Sequence, residues 1–383
     1  MDDRREIAVY VHWPFCAAKC PYCDFNSHVV ASVDHDAWAA AFEAEIDRLS
    51  EEVAPASVTS VYFGGGTPSL MQPRTVERVI SRLQSRLRLV NDVEITLEAN
   101  PTSVEAEAFR AFRAAGVNRV SLGVQALDDD GLRRLGRLHD ADQAVRALDL
   151  ARNVFERISF DLIYARQEQT EDDWRRELAR ALSFEPRHLS LYQLTIEPDT
   201  AFGARHAAGR LPGLPDEDRA IGLWDVTQAL TGAAGLPAYE VSNHAAPGAE
   251  SRHNLTYWRC GEWLGVGPGA HGRYRAPGGW IRTEGHRRPQ DWLDGVVAGR
   301  GESVREGVCR TERAEMLLMM GLRLTEGADM DAYARLSDPV PVMARAVHLA
   351  EDGLLLVEED GSRIRTTQRG RLLLNAVAAA LLA

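Results

Sequence analysis

Short apolar stretches rich in β-branched residues alternate with longer stretches of helical spacing through the first half of the chain. The apolar stretches predict six strands, at 7–12, 58–63, 93–98, 119–123, 158–164 and 188–194. The stretches between them predict helices at 36–49, 74–89, 105–115, 140–153 and 172–183. Strand–helix repeats in series require a parallel sheet with helices outside it, either doubly wound or closed as a barrel.

Polar and glycine-rich positions recur where these predicted strands end. They are Cys16, the run 64–67, Glu98, Gln125 and Asp161. In parallel sheets, functional groups gather at the carboxyl ends of the strands. A doubly wound sheet collects its ligand contacts at one switch point, whereas here five of the six predicted strands contribute. The pattern therefore favours a partial barrel with a single active site at its rim.

The second half of the chain changes character twice. Residues 200–301 are irregular and rich in Gly, Pro and Trp, which indicates loops and one helix, at 216–230, covering the barrel mouth. Further on, helical segments lead into an apolar run at 353–357 and a hairpin turn at 359–361. This order is typical of a small winged-helix-like α+β domain with a structural role. We expect three domains, the barrel at 1–200, a loop-rich extension at 201–308 and a C-terminal domain at 309–383.

Charge and composition narrow the function. The chain has 383 residues and a formal net charge of −12, which argues against binding nucleic acid through a basic face. No long apolar secretory region and no membrane-spanning stretch is found in the sequence, so we expect a cytoplasmic protein. Thiols stay reduced in that compartment, where clustered cysteines bind metal more often than they form disulfides.

Three of the five cysteines, Cys16, Cys20 and Cys23, lie within eight residues directly after the first predicted strand. A structural zinc site needs four ligands, and His12 or His28 could complete one. Alternatively, three thiolates hold three irons of a [4Fe–4S] cluster and leave the fourth iron open. Cys260 and Cys309 are isolated and are predicted to be small apolar residues without a metal.

The Cys-x3-Cys-x2-Cys spacing on a loop after a barrel strand resembles the signature of the radical S-adenosylmethionine (SAM) superfamily. The resemblance implies that Cys16, Cys20 and Cys23 bind a [4Fe–4S] cluster whose open iron chelates SAM. An electron from the reduced cluster then splits the SAM sulfonium to a 5′-deoxyadenosyl radical. By position, the residues implied to contact SAM are Tyr10, Tyr22, Gly65, Gly66, Thr67, Glu98, Gln125, Arg137 and Asp161.

Motifs along nearly the whole chain resemble one branch of this superfamily, which contains the oxygen-independent coproporphyrinogen dehydrogenases and their paralogues, the haem chaperones. The dehydrogenases carry a further cysteine two positions after the third ligand, where this chain has Phe25. The run 253–258 resembles the His-Asn-x-x-Tyr-Trp motif of the chaperones. The resemblance implies haem binding by His253, Tyr257 and Trp258, with the histidine as iron ligand.

The branch therefore implies a chaperone that carries haem as cargo. Its implied partners are acceptor haemoproteins, including membrane-bound respiratory enzymes that it meets at the membrane surface, and an electron donor such as a flavodoxin or ferredoxin. Three alternatives stay open. They are a coproporphyrinogen dehydrogenase, a radical SAM enzyme acting on another substrate, and a zinc-stabilised barrel without radical chemistry.

The chain departs from the branch after the fifth predicted strand. Where the branch has Gly-Leu-Pro-Gly-Gln-Thr, this chain has Ala-Arg-Gln-Glu-Gln-Thr at 165–170. Because two glycines and a proline are lost, we expect a changed rim loop where the adenosyl half of SAM would lie.

Overall fold

The structure is a computed structural model that describes residues 5–102 and 106–383. The strands of the larger sheet and the cysteine loop are β1 (Arg5–Trp13), β2 (Phe15–Cys16), β3 (His28–Val29), β4 (Ala56–Gly65), β5 (Arg88–Ala99), β6 (Arg119–Gln125), β7 (Arg157–Tyr164), β8 (His188–Gln193), β9 (Asn243–Ala245), β10 (Glu262–Val266), β11 (His271–Ala276), β12 (Gly279–Gly285) and β13 (Glu302–Gly307). The C-terminal strands are β14 (Ala328–Asp329), β15 (Leu355–Val357) and β16 (Arg363–Thr366).

Helices cover most of the remaining described chain. They are α1 (His35–Val53), α2 (Pro73–Arg86), α3 (Phe109–Ala114), α4 (Asp129–Arg134), α5 (Ala141–Val154), α6 (Glu171–Leu182), α7 (Ala201–Ala207), α8 (Glu217–Ala233), α9 (Arg252–Trp258), α10 (Pro289–Val297), α11 (Arg310–Gly321), α12 (Met330–Ala334), α13 (Val340–Glu351), α14 (Gln368–Leu372) and α15 (Leu374–Leu382). The first position of the helix predicted at 105–115 lies outside the described residues.

One sheet carries the first half of the chain. Its strand order is β13-β12-β11-β10-β1-β4-β5-β6-β7-β8-β9, and all neighbours from β10 to β8 in that order are parallel. The strands from β1 and β4 to β8 correspond to the six predicted strands. The predicted α/β architecture, a partial barrel, is confirmed.

The outer helices begin at capping residues that the sequence supplies. Asp34 accepts a hydrogen bond from the backbone N–H of Ala37 at the start of α1. Asp140 and Thr170 form capping boxes at the starts of α5 and α6. The apolar faces of these helices pack on the sheet and form a main core that includes Phe42, Leu83 and Leu148. The helices thereby cover the outside of the barrel and leave its carboxyl-end rim open.

The stretch 201–308 contains more regular structure than the sequence predicts. It adds β9 to one edge of the sheet and β10–β13 to the other, and it holds four helices besides the loops. Strands β11–β13 carry glycines and charged residues and pair antiparallel at the sheet edge, so they lack the continuous apolar runs that reveal buried parallel strands. Their buried side chains, among them Leu264 and Tyr274, belong to the main core.

The C-terminal part has its own hydrophobic cluster, which we name the C-terminal core. It includes Leu318, Val342, Ile364 and Leu381. The predicted hairpin is present as β15 and β16, with Val357 opposite Ile364, and β14 completes an antiparallel three-stranded sheet beside the helices. This arrangement confirms the winged-helix-like α+β prediction. Among the helices of the described residues, none has the length and apolar character needed to cross a membrane.

Candidate cluster and cofactor site

A cavity of about 530 Å³ opens at the carboxyl ends of the barrel strands. Of the residues predicted to bind the cluster or SAM, those lining it are Cys16, Tyr22, Cys20, Cys23, Gly65, Gly66, Thr67, Glu98, Gln125, Arg137 and Asp161. Residues more than a hundred positions apart in the sequence therefore meet in one place. Tyr10 lies beside the cavity without lining it, and its hydroxyl is 3.0 Å from Nδ1 of His12.

The cysteine loop begins at the end of β2, where Cys16 pairs with Val29 of β3. The backbone N–H of Cys23 donates to the carbonyl of Cys20 over 3.2 Å, which closes a turn between the second and third thiols. All three thiols are free and half-buried. Burial raises the pKa of the Cys16 and Cys23 thiols, so binding iron as thiolates would release protons.

Two neighbouring side chains donate hydrogen bonds to these sulfur atoms. Thr67 Oγ1 lies 3.4 Å from Cys16 Sγ, and Arg137 Nη1 lies 3.4 Å from Cys20 Sγ. Within the described ranges, no three His, Cys, Asp or Glu side chains are arranged to hold a single metal ion. Thiolates that each bind a separate iron of a cubane cluster do not need to converge on one point. The donor set of three thiols on one loop fits such a cluster.

The glycines after β4 allow a close approach between backbones. Gly65 has φ of +112°, and a Cβ there would lie 2.5 Å from the His12 ring. A Cβ on Gly66 would lie 2.7 Å from the carbonyl oxygen of Phe15. The His12 ring is fixed in place by the Asn26 carbonyl, 2.8 Å from Nε2. Only glycine fits at these two positions, and it leaves backbone groups exposed to the cavity.

Two carboxyl groups face the cavity from neighbouring parts of the barrel. Glu98 accepts hydrogen bonds from the Tyr62 hydroxyl at 2.8 Å and from the backbone N–H of Gly65 at 3.3 Å. Burial raises the pKa of Glu98 to about 7, and the nearby Asp161 adds to the shift. Burial likewise raises the pKa of Asp161 to about 6, although Ser121 donates to its Oδ1. Both groups can accept hydrogen bonds from hydroxyl or amino groups of a ligand.

Polar atoms without partners also lie at this cavity. Gln125 Oε1 and Arg137 Nε are buried and have no hydrogen-bond partner in the part of the chain that the structure describes. Gln125 has φ of 69°, a conformation that L residues rarely adopt and that is common at functional sites. The other guanidinium nitrogens of Arg137 bond to Asn100, Tyr22, Cys20 and Gly123. An acceptor and a donor left free beside the thiols fit a polar ligand such as SAM.

Asn100 and Tyr192 are among the polar residues lining the cavity that sequence reasoning missed. Asn100 donates to Thr67 Oγ1 over 3.2 Å and accepts from Arg137. It therefore links the two side chains that donate to the cysteine sulfur atoms. Tyr192 lies at the rim on β8. Both belong to motifs that matched the branch, the Glu-Ala-Asn-Pro run after β5 and the Ser-Leu-Tyr-Gln run in β8. Their position at strand ends was the signal that could have identified them.

The altered loop at 165–170 does not line the cavity. Ala165 and Glu168 have φ of 59° and 58°, at the two positions where the branch has glycine. Arg166 is buried beneath them and forms an ion pair with Glu177 at 2.7 Å. The loop therefore contributes no side chain to the cavity, and the expectation that it alters the surroundings of the adenosyl half of SAM stays a prediction.

The predicted haem residues lie apart from this cavity. His253 is buried inside the barrel on α9, where Nδ1 is 3.0 Å from Ser60 Oγ and Nε2 is 2.6 Å from the Tyr257 hydroxyl. Burial lowers the pKa of His253 to about 3, so the ring is neutral. The Tyr62 ring stacks on it at 5.0 Å. Trp258 packs against the guanidinium of Arg323, whose Cζ is 4.7 Å from the centroid of the ring.

Comparison with known proteins agrees with this geometry. Residues 10–181 match the radical SAM superfamily, and 308–373 match the HemN C-terminal domain. A mitochondrial radical S-adenosyl methionine domain-containing protein 1 from Bos taurus is 39% identical over 99% of this chain and 88% of its own length. Heme chaperone HemW from Escherichia coli is 38% identical over 97% of both chains.

Among solved structures, the coproporphyrinogen III oxidase HemN from Escherichia coli superimposes with a TM-score of 0.82 over 99% of this chain and 90% of that chain. Its sequence identity is 22%, so this similarity establishes the fold alone. The chain is a member of the radical SAM superfamily. Within that superfamily, it belongs to the family of the heme chaperone HemW.

Proposed function

We propose that this protein binds haem, a [4Fe–4S] cluster and SAM, and delivers haem to acceptor haemoproteins. The observation that carries the proposal is similarity over nearly the full length to proteins named heme chaperone HemW, including one from Bacillus subtilis at 33% identity over 98% of this chain. The proposed acceptors include membrane-bound respiratory enzymes, and the proposed electron donor is a flavodoxin or ferredoxin. The proposed location is the cytoplasm, with peripheral contact to the membrane during delivery.

The cavity supports the cofactor part of the proposal. Cys16, Cys20 and Cys23 would hold the cluster, and Gln125 and Arg137 would contact SAM with the atoms that lack partners. When bound, the cluster supplies one-electron reduction of the SAM sulfonium. The remaining proposed SAM contacts are Tyr10, Tyr22, Gly65, Gly66, Thr67, Glu98 and Asp161.

Phe25 supports a chaperone rather than a dehydrogenase. It lines the cavity with 58% of its surface exposed, at the position where the resemblance places a further cysteine in the dehydrogenases. An exposed phenylalanine cannot replace the chemistry of a thiol. We therefore expect no conversion of coproporphyrinogen III to protoporphyrinogen by the reconstituted protein, and stoichiometric product in an anaerobic assay would contradict the proposal.

His253 is the proposed iron ligand, and its surroundings define what ligation requires. Because both ring nitrogens already have partners, the iron must displace either Ser60 or Tyr257. Tyr257 is the easier partner to displace, because its hydroxyl leaves Nε2 by rotation of one side chain, whereas Ser60 lies on strand β4. His253 is buried, so haem ligation also requires α9 to shift enough to uncover Nε2, with Tyr257 and Trp258 offering apolar surface to the porphyrin.

Haem titration followed at the Soret band tests this proposal. The wild-type protein should bind one haem, and His253→Ala should weaken binding and change the Soret position. Tyr257→Phe removes the hydroxyl that competes for Nε2, so it should strengthen binding about fivefold, the equivalent of one neutral hydrogen bond.

His206→Ala is the matched control, because His206 is exposed on α7 and should leave the titration unchanged. Absence of haem binding by the wild type would refute the function. If wild type, His253→Ala and Tyr257→Phe bind haem with equal affinity and the same Soret band, His253 is not the iron ligand.

A further inference from the structure

A second cavity, of about 210 Å³, lies where the C-terminal helices meet β10–β12. We name it the arginine pocket, for Arg273 and Arg313 in its wall. Two tryptophans, Trp263 and Trp280, provide flat apolar surface, and Leu317 contributes from α11. The pocket is separate from the cysteine cavity, since the two share no lining residue.

Both guanidiniums are half-buried and lack an acidic partner. The Arg313 Cζ lies 3.9 Å from the centroid of the Trp280 ring, and the Arg273 Cζ lies 5.9 Å from that of Trp263. Neither guanidinium makes an ion pair or a hydrogen bond with any residue in the ranges 5–102 and 106–383, although the backbone N–H of Arg313 donates to the Cys309 carbonyl. Burial lowers the pKa of both, which reflects the cost of holding two unpaired cations there.

The nearby carboxylate, Glu262, is already engaged. Its Oε2 accepts from Arg5 and from the backbone N–H of Arg275, and its Oε1 is 3.5 Å from the Arg275 guanidinium. It therefore makes no ion pair with either pocket arginine, although its charge partly stabilises the Arg313 guanidinium. An external anion could pair with both, because guanidiniums bind carboxylates through paired hydrogen bonds.

The wall of the pocket is continuous with the segment that carries His253. Tyr257 packs edge-on against Trp263 with ring centroids 4.6 Å apart, and Cys260, two residues after Trp258, lines the pocket. A ligand that reaches from the pocket along Trp263 therefore approaches α9. This segment is also the one that must move if His253 is to bind iron.

A planar apolar ligand with two carboxylates on one edge matches these features. Haem has that form, since its two propionates leave the same edge of an apolar macrocycle. The volume of the pocket admits the propionate-bearing edge but not the whole ring. We propose that the arginine pocket binds the propionate edge of haem, with Arg273 and Arg313 each pairing with one propionate. The inference rests on the proposed function, because it requires that the protein binds haem.

Titration with haem and with haem dimethyl ester, whose propionates are blocked, tests the pairing. Removing one guanidinium, in Arg273→Gln or Arg313→Gln, should weaken haem binding about tenfold, as expected for a charge-assisted hydrogen bond. The wild type should bind the ester more weakly than haem. The double variant should bind haem and the ester equally, and with the ester affinity of the wild type.

Arg176→Gln provides the matched control, because it removes the same charge from an exposed position on α6 and should leave both affinities unchanged. Retained ester affinity in the double variant shows that it has folded, and Arg313→Lys should recover part of the haem affinity by restoring the charge. If the wild type binds haem and the arginine variants bind it equally well, the inference is wrong and the proposed function stands. If the wild type does not bind haem, both fail.

Discussion

Glu98 shows how a single side chain on the rim is balanced between two charge states. Donors from Tyr62 and Gly65 stabilise its carboxylate, whereas burial and the nearby Asp161 destabilise it. The second pair of effects is larger, and the pKa lies at about 7. With this pKa, Glu98 changes between its neutral and its charged form near neutral pH, so the charge of the cavity at this position depends on pH.

The raised pKa of Glu98 predicts a pH-dependent stability. Between the ordinary carboxyl value of 4.5 and about 7, the folded protein keeps a proton that the unfolded chain has lost. The contribution of Glu98 to the free energy of unfolding should therefore fall as pH rises through this window, by at most about 1.4 kcal/mol per pH unit. Urea unfolding of the iron-free protein at pH 5 and pH 7.5 measures the change.

Glu98→Gln removes this contribution, because the amide cannot ionise, so between pH 5 and pH 7.5 its free energy of unfolding should fall less, or rise more, than that of the wild type. Glu77→Gln is the matched control, since Glu77 is exposed on α2 and should keep the wild-type pH dependence. An identical pH dependence in wild type and Glu98→Gln would show that the carboxyl group titrates at its ordinary pKa.

At the scale of elements, the turn between β7 and α6 keeps a backbone path that suits glycine better than its own residues. Ala165 and Glu168 both adopt positive φ. The surroundings hold them there, since Glu168 N–H donates to the Gly213 carbonyl at 2.6 Å and the buried Arg166 anchors the turn from below. Positive φ costs a non-glycine residue about 1–2 kcal/mol, so these contacts maintain a strained turn.

Replacing Glu168 with glycine should relieve this strain. The side chain is exposed, and its ion pair with Arg134, at 3.3 Å, contributes little in solvent. We expect Glu168→Gly to raise the free energy of unfolding by about 1 kcal/mol. This value is the backbone strain that is relieved, minus the cost of the larger conformational entropy of glycine in the unfolded chain. Thermal and urea unfolding measure it.

A control with the opposite sign is available on α2. Glu77→Gly places glycine in a helix interior and should lower stability by about 1 kcal/mol. If Glu168→Gly destabilises the protein as much as Glu77→Gly does, the turn is not strained at Glu168.

At the scale of the whole molecule, the sequence predicts the features that depend on local interactions and misses those that depend on contacts between distant parts of the chain. The parallel strands and outer helices follow from local periodicity and capping residues, and the cysteine loop follows from spacing, so both could be predicted. The placement of His253 depends on Ser60, 193 positions away, and no local pattern encodes that contact. The arginine pocket likewise forms only when β11 and α11, far apart in sequence, come together.

The two hydrophobic cores also bear on the division into domains. Buried residues from 201–308, such as Leu264, belong to the main core, so the predicted boundary after 200 does not separate two cores. The boundary at 308/309 does separate them, because the C-terminal core draws its buried residues from Ala314 onward. We propose that 309–383 is a separate cooperative unit, and we keep 1–200 and 201–308 as proposed functional divisions of a shared core.

A pair of matched core substitutions tests whether the C-terminal unit opens on its own. Leu318 on α11 and Leu83 on α2 are both fully buried, one in each core. Each change to alanine should lower the stability of its own unit by about 2–5 kcal/mol.

Amide hydrogen exchange of the full chain measures this effect. Leu318→Ala should lower protection in α11–α15 and leave the amides of β4–β8 unchanged, because local opening of one unit does not break the hydrogen bonds of the other. Leu83→Ala should lower protection in β4–β8. Loss of protection throughout the chain in the Leu318→Ala variant would mean that both cores unfold together and that 309–383 is not a separate unit.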